Sequence, residues 1–261
     1  MERRVFLASI AAAVAAGLAA CSTDSPPAAQ PSTGAGSSGA LGAGPRFAAP
    51  RGLTRVPVPH GTLFRLPGDS KTVALTVDDG TSSKVIEGYA TLARDTGLRL
   101  TFFCNGVNSG WTTHSDLLRP LHDDNQIFIA NHTWSHPNLL RLSSAEVTDQ
   151  VRRNEVFLQN TYGTLGRPFL RPPYGYHDQR LDAQLADLGY PAVTMWLGSL
   201  GDSTVVTPQA IVANAKQWLL PDHIVIGHAN HLPVTKVYGQ LVEIIRARGL
   251  QPVHLGDIYQ V

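Results

Sequence analysis

The stretch TVALTVDDG, residues 72–80, gives a clear indication of fold class. It begins with an unbroken run of β-branched and apolar residues, which is typical of a strand buried on both faces of a parallel sheet. Asp78 and Asp79 follow that run directly, and Gly80 ends the turn. An Asp-Asp-Gly sequence after a strand is often only a turn. It can also place two carboxylates at the edge where parallel α/β folds build their active sites.

Segments of the same kind alternate with helical patterns along the rest of the chain. The other candidate strands are LRLTFFC (98–104), QIFIA (126–130), PFLR (168–171), PAVTMW (191–196), HIVIG (223–227) and QPVHL (251–255). Helices are predicted over about 83–96, from the Ser143–Glu146 capping box to about 160, over about 178–188, from Thr207–Pro208 onward, and over about 233–248. This alternation predicts an α/β fold, a distorted (β/α) barrel with about seven parallel strands and an active site at their C-terminal ends.

The N-terminal region differs in composition from the rest of the chain. Residues 1–21 combine a basic start with a short apolar run, which is typical of an export signal. LAAC at 18–21 resembles the lipobox of bacterial lipoproteins, in which Cys21 carries the lipid, and RRVFL resembles a twin-arginine signal. The alternative is an ordinary secretory signal with a chance cysteine. Residues 22–50, rich in Ala, Gly, Ser and Pro, are expected to form a flexible linker, which leaves 51–261 as one catalytic domain.

Charge and cysteine content exclude some classes of function. A formal net charge of +1 with 16% charged residues gives no electrostatic footprint for nucleic acid. The chain has 2 cysteines, so with Cys21 assigned to lipid no disulfide framework is expected. Cys104, between apolar residues, is predicted to be a packed core thiol.

Polar residues recur at or just after the predicted strand ends. They are Asp78, Asp79, His132, His136, Arg171, Tyr174, Asp202 and His228. Each has an ordinary structural explanation, such as a turn aspartate or a hydrogen-bonded core histidine. Their coincidence at one edge of the sheet favours a shared site over separate structural roles.

The pair in HTWSHP, residues 132–137, could be two surface residues, a pH-sensitive pair or two ligands of one metal ion. Residues four apart lie on one face of a helix, so a single helical turn would aim both imidazoles at one ion. Pro137 would then end that turn.

Four motifs together resemble the polysaccharide deacetylases, carbohydrate esterase family 4, which share the NodB homology domain. They are TVDDG (76–80), HTWSHP (132–137), RPPYG (171–175) and IGH (226–228). A further motif of the family departs from its usual Asp-x-x-Asp-Trp pattern, because SLGDS (199–203) keeps Asp202 but has Ser199 and Ser203 in place of the first Asp and the Trp. The tryptophan that usually supplies a pocket wall in this family is therefore absent from position 203.

The resemblance implies a role for each polar residue. Asp79, His132 and His136 would bind a divalent metal, for which zinc fits best and cobalt or manganese are alternatives. Asp78 would be the catalytic base, oriented by Arg171. A backbone N–H near Tyr174 would stabilise the oxyanion, and His228, paired with Asp202, would be the acid.

The expected function is metal-dependent hydrolysis of N-acetyl groups in amino-sugar polymers, such as peptidoglycan or chitin-like oligomers, with release of acetate. That is hydrolysis of a carbon–nitrogen bond other than a peptide bond. The alternatives are an O-acetyl polysaccharide esterase and a non-catalytic glycan-binding surface lipoprotein. The partners expected are an acetylated glycan and, through Cys21, the outer face of the cytoplasmic membrane, with no nucleic acid and a monomeric chain.

Overall fold

The computed structural model describes residues 44–68 and 70–261. The export signal, Cys21 and most of the linker expected from the sequence lie outside the described residues. Among the helices that are described, none has both the length and the apolar character needed to cross a bilayer.

A parallel sheet forms the centre of the fold. Its strands are β1 (Gly61–Leu63), β2 (Thr72–Asp79), β3 (Leu100–Cys104), β4 (Ile127–Asn131), β5 (Phe169–Leu170), β6 (Ala192–Thr194), β7 (Gly198–Ser199), β8 (Ile224–His228) and β9 (Gln251–Pro252). They lie in the order β1-β6-β5-β4-β3-β2-β8-β7, with β9 against β2. All the pairings between these strands are parallel, which confirms the predicted architecture.

The link between β6 and β7 curls the sheet into a distorted barrel. These two strands lie near opposite ends of the strand order, yet only residues 195–197 separate them. Within the link, the Met195 N–H donates to the carbonyl of Leu63 at 2.7 Å, and the Leu197 N–H donates to that of Ile224 at 2.9 Å. The two ends of the sheet are therefore held together.

The helices follow the strands in alternation. They are α1 (Ser83–Thr96), α2 (Gly110–Thr113), α3 (Ser115–Asp123), α4 (Ser144–Tyr162), α5 (Gln179–Asp187), α6 (Pro208–Trp218), α7 (Tyr238–Ala247) and α8 (Leu255–Ile258). The capping box between Ser143 and Glu146 is present, and α4 ends at Gly163, whose φ of 77° suits a glycine. The predicted helix over 233–248 is divided into a 3₁₀ turn, Leu232–Lys236, followed by α7.

Strand β2 separates two layers of the core. Val73, Leu75 and Val77 pack on the helix side, whereas Ala74 belongs to the apolar cluster inside the barrel. Because side chains alternate along a strand, Asp78 lies on the same inner face as Ala74. The apolar residues of β2 are therefore buried along the strand, and Asp78 lies in the barrel interior at its C-terminal end. Cys104, the last residue of β3, is fully buried as predicted.

The packed region reaches further toward the N-terminus than residue 51. Phe47, placed by composition in the linker, donates its N–H to the carbonyl of Thr96 at 2.8 Å. The guanidinium of Arg246 lies 5.3 Å from the centre of the Phe47 ring.

Candidate active site

A cavity of about 620 Å³ opens at the C-terminal ends of the strands. Sequence-predicted residues that line it are Asp78, Asp79, His132, His136, Tyr174 and His228. The other two, Arg171 and Asp202, lie behind the lining, and each contacts one of these residues directly. The structure therefore brings all eight predicted residues to one place.

Two histidines converge on one oxygen of Asp79. Oδ1 of Asp79 lies 3.2 Å from Nε2 of His132 and 3.3 Å from Nε2 of His136. One ligand atom from each of the three residues lies within 4.8 Å of the others. Oδ1 is buried and has no hydrogen-bond partner among the described residues. Burial opposes ionisation, but the three nearby histidines, His132 foremost, hold the pKa of Asp79 well below its usual value.

The ring of His132 has its tautomer set by the backbone. Its Nδ1 lies 2.6 Å from the carbonyl oxygen of Arg171, which can only accept, so Nδ1 carries the proton. In the neutral ring, Nε2 then has a free lone pair, which is the form that binds a metal. A lone pair from each imidazole and an unpartnered carboxylate oxygen are the donors that a borderline divalent cation such as zinc requires, so the residues fit such an ion.

The histidine pair is not on a helical turn, and that prediction was wrong. Residues 132–138 form an irregular loop after β4, in which Thr133 and His136 have φ values of 69° and 60°. The rings nevertheless approach to 4.9 Å between centroids. A loop with left-handed residues, rather than the i, i+4 geometry of a helix, therefore aims the two rings at one point.

Buried amides shape this loop from behind. The Thr133 N–H donates to Oδ1 of Asn131 at 2.8 Å, and Nδ2 of Asn154 donates to the same oxygen, also at 2.8 Å. Asn105 donates to the carbonyls of His132 and Thr133. No motif in the sequence identified these asparagines, and both Asn105 and Asn154 lie far along the chain from the residues that they contact.

Asp79 shares the cavity with Asp78 because its backbone departs from strand geometry. Consecutive residues of a regular strand face opposite sides, but Asp79 has a φ of 73°. Its carbonyl accepts hydrogen bonds from Nε1 of Trp111 at 2.9 Å and Nδ2 of Asn108 at 3.1 Å. A side chain at Gly80 would collide with Trp111, since a Cβ there would lie 2.4 Å from Nε1. The left-handed conformation is therefore held by side chains that the sequence alone did not reveal.

Asp78 is held by a fully buried arginine. Nη1 of Arg171 donates to Oδ1 of Asp78 at 2.5 Å and to Oγ1 of Thr76 at 2.8 Å. Nε and Nη2 donate to the carbonyls of Thr194 and Met195, each at 3.0 Å. Burial lowers the pKa of the Arg171 guanidinium, and Asp78 partly offsets this. The other oxygen of Asp78, Oδ2, lies 3.6 Å from Nε2 of His132, so it faces the Asp79–His132–His136 cluster.

His228 is oriented by Asp202. Oδ1 of Asp202 lies 3.0 Å from Nδ1 of the ring, and Oδ2 accepts the backbone N–H of His228 at 3.2 Å. This leaves Nε2 for the cavity. Burial alone would lower the pKa of His228, but the hydrogen bond from Asp202 and the charge of Asp78 raise it above its usual value.

Aromatic residues and serines also line the cavity. Tyr174 has a φ of 61°, and its backbone N–H has no acceptor in the part of the chain that the structure describes. The residue is 58% exposed, and the centre of its ring lies 5.6 Å from that of Tyr176. Ser199 and Ser203 both line the cavity, as does Trp196, a tryptophan that the motif comparison did not single out.

The comparisons with known proteins agree with this geometry. The sequence model of a family described as polysaccharide deacetylase matches residues 65–193. A chitin deacetylase from Pestalotiopsis sp. is 30% identical over 223 residues, which cover 83% of this chain and 73% of that protein. A peptidoglycan-N-acetylglucosamine deacetylase from Bacillus cereus is 25% identical over 207 residues, 77% of this chain and 73% of that protein. The solved structure of the chitin deacetylase from Colletotrichum lindemuthianum has a TM-score of 0.70 at 24% identity and covers 78% of this chain and 94% of that one.

Proposed function

The chain belongs to the polysaccharide deacetylase family, and we propose that it is a metal-dependent hydrolase that removes N-acetyl groups from amino-sugar polymers. One observation carries this proposal. A carboxylate held by a buried arginine and a histidine held by a buried aspartate line the same cavity as the Asp79–His132–His136 cluster. A binding protein would need neither the base nor the acid.

Asp79, His132 and His136 would hold the cation. Zinc suits two imidazoles and a carboxylate, and cobalt or manganese are alternatives. When bound, such an ion acts as a Lewis acid toward the acetyl carbonyl and lowers the pKa of water.

Asp78 would take the proton from the attacking water. Its Oδ1 is occupied by Arg171, and its Oδ2 faces the metal-binding cluster. The buried guanidinium prevents rotation of the carboxylate, because Arg171 is itself fixed by three further acceptors. The base is therefore held in place before substrate arrives.

Tyr174 would act when the oxyanion forms, and His228 would act when the carbon–nitrogen bond breaks. Water adds to the acetyl carbon, and the carbonyl oxygen becomes an oxyanion to which the free N–H of Tyr174 can donate. The carbon–nitrogen bond then breaks, acetate leaves with the water oxygen, and the sugar nitrogen needs a proton. His228 can supply it from Nε2, while Asp202 stabilises the charged imidazole at Nδ1.

The rim suggests a saccharide longer than one unit. Tyr174 and Tyr176 are 58% and 53% exposed and lie side by side at the cavity. Exposed aromatic patches of this kind mark binding surfaces. Cell-envelope glycan or chitin-like oligomers would present the repeating N-acetyl sugars that such a rim could contact, and the names of the relatives support both classes.

We further propose that the chain is an exported lipoprotein, anchored through Cys21 to the outer face of the cytoplasmic membrane. The LAAC sequence at 18–21 supports this location. Mass spectrometry of the membrane-extracted protein should find a lipid-modified Cys21 at the mature N-terminus, and Cys21→Ala should move the protein to the soluble fraction. An unmodified N-terminus on the wild-type protein would refute the anchor.

Acetate release tests the proposed reaction. The purified chain should release acetate from N-acetylglucosamine oligomers, and a chelator should abolish the release until zinc is restored. O-acetylated xylan serves as the comparison substrate. Faster release from the O-acetyl ester than from the N-acetyl oligomer would replace the deacetylase with an esterase. No release from either substrate would favour a glycan-binding role.

A further inference from the structure

We propose that Asn230 is a positioning residue for the metal site, because it fixes the rotation of the Asp79 carboxylate so that one oxygen faces His132 and His136. It is absent from the motifs that first indicated the site. It follows β8 by two residues and lines the cavity. The inference rests on the metal site of the proposed function and adds to it a residue that contacts the ligand rather than the ion.

The hydrogen bonds of Asn230 determine the orientation of its amide. Oδ1 accepts two bonds from Thr81, one from the backbone N–H at 3.1 Å and one from Oγ1 at 2.9 Å. Nδ2 donates to Oδ2 of Asp79 at 2.7 Å. The backbone N–H of Thr81 can only donate, so the carbonyl side of the amide must face Thr81. The NH₂ side is consequently directed at Asp79.

Because of this contact, the two oxygens of the Asp79 carboxylate have different surroundings. Oδ2 of Asp79 is occupied by Asn230, whereas Oδ1 lies between the two imidazoles without a hydrogen-bond partner among the described residues. Trp111 and Asn108 hold the backbone of Asp79, but they do not fix rotation of the carboxylate. Asn230 supplies that constraint, and as a neutral donor it leaves the full negative charge of Asp79 available to a cation.

The backbone around Asn230 is tied to the same strand end. The Ala229 N–H donates to the carbonyl of Asp78 at 2.9 Å, and the Ser82 N–H donates to the carbonyl of Ala229 at 3.0 Å. These bonds fix the segment after β8 against the turn after β2. Asn230 therefore reaches Asp79 from a framework that does not depend on the ion.

Metal affinity tests this assignment without any use of activity. The dissociation constant for Zn²⁺ is measured on the metal-stripped full chain by competition with a chelating indicator. Loss of a residue that orients a metal ligand typically weakens affinity 10–100-fold, so Asn230→Ala should bind zinc at least about 10-fold more weakly than wild type. The matched control is Thr235→Ala, which removes a hydrogen bond to the carbonyl of Leu232 in the exposed turn that follows and should bind zinc like wild type.

A second readout separates positioning from general destabilisation. The metal-free Asn230→Ala protein should unfold at nearly the wild-type temperature, while its rise in Tm on adding zinc should be smaller. Asn230→Ser, too short to reach Asp79, should show the same weakened affinity and replaces the alanine variant if that one does not fold. Wild-type zinc affinity in either folded variant would overturn the inference while leaving the metal site intact. Failure of the wild-type chain to bind zinc would overturn both.

Discussion

Arg171 and Asp78 form an ion pair at the floor of the cavity, in which the arginine side chain is fully buried and Nη1 lies 2.5 Å from Oδ1. A buried pair of this kind is costly to break, because the remaining charge loses its partner in a low-dielectric environment. The pair holds the proposed base in place. The stability of the barrel interior also depends on both residues being present.

Replacement of Arg171 should therefore lower the stability of the fold. Arg171→Met removes the partner of Asp78 and should lower the free energy of unfolding by about 3–5 kcal/mol. Urea denaturation measures this loss. Arg94→Ala is the control, since its pair with Asp95 is exposed and its loss should change stability by less than about 1 kcal/mol. Equal effects of the two substitutions would contradict the role given to the buried pair.

The His228–Asp202 pair predicts a shift in the pH profile of kcat/KM. His228 must be protonated to act as the acid, so activity should fall as pH rises through its raised pKa. Asp202→Asn removes the charge that stabilises the imidazolium, lowers the pKa of His228, and should move this fall to lower pH.

The control for that shift is another histidine–aspartate pair. His177 and Asp182 lie 2.9 Å apart, and neither lines the cavity. Asp182→Asn should leave the profile unchanged. An Asp202→Asn enzyme with the wild-type alkaline limb would show that His228 is not the acid.

The barrel and much of the site could be predicted from the sequence because local patterns encode them. The strand before Asp78 and the capping box at Ser143 depend on neighbouring residues, and both are present. The strands β1 and β7 were not predicted, because GTL contains one bulky apolar residue and GS contains none, so neither forms an apolar run. The geometry of the histidine loop was missed because positive φ at a non-glycine residue depends on tertiary hydrogen bonds, here those that Asn105 donates to the carbonyls of His132 and Thr133.

The contacts around the predicted residues could not be found in the same way. Trp111 lies in a short helix far along the chain from Asp79, yet it holds that residue's carbonyl. Trp196 lines the cavity although the family's usual tryptophan position is Ser203. The positions of these two tryptophans depend on how distant segments are brought together in the curled sheet, and no single segment of the sequence encodes that arrangement.

Acid should destabilise the fold through His254. Burial, with the charge of Arg99 nearby, lowers the pKa of His254 to about 4 from an ordinary 6.5. Between these values the unfolded chain binds a proton that the folded chain does not, so stability rises with pH across this window and is lost as pH falls from about 6.5 to about 4. The loss from this group should amount to roughly 1–3 kcal/mol.

Chemical denaturation at a series of pH values measures that dependence. His254→Gln should flatten it, whereas His60→Gln, at an exposed position, should retain the wild-type slope. An unchanged slope in the His254 variant would assign the acid sensitivity to other groups.

The exposed tyrosine at the rim should contribute to binding of longer saccharides. Tyr176→Ala should raise KM for N-acetylglucosamine oligomers about 3–10-fold, as expected for the loss of one aromatic contact worth about 0.5–1.5 kcal/mol. Zinc affinity should not change, because Tyr176 contacts Tyr174 rather than the metal-binding residues. Val156→Ala, at an exposed residue of α4, is the control. A wild-type KM in the Tyr176 variant would remove this residue from the substrate groove.

The most direct test of the metal-dependent base mechanism measures bound metal and acetate release together in Asp78→Asn. This substitution preserves the shape of the side chain and leaves Asp79, His132 and His136 in place. We predict that the variant binds one zinc ion per chain, as the wild type does, and releases acetate from N-acetylglucosamine oligomers at least about 100-fold more slowly. Wild-type release by the variant, or release by metal-stripped wild-type protein, would contradict the account.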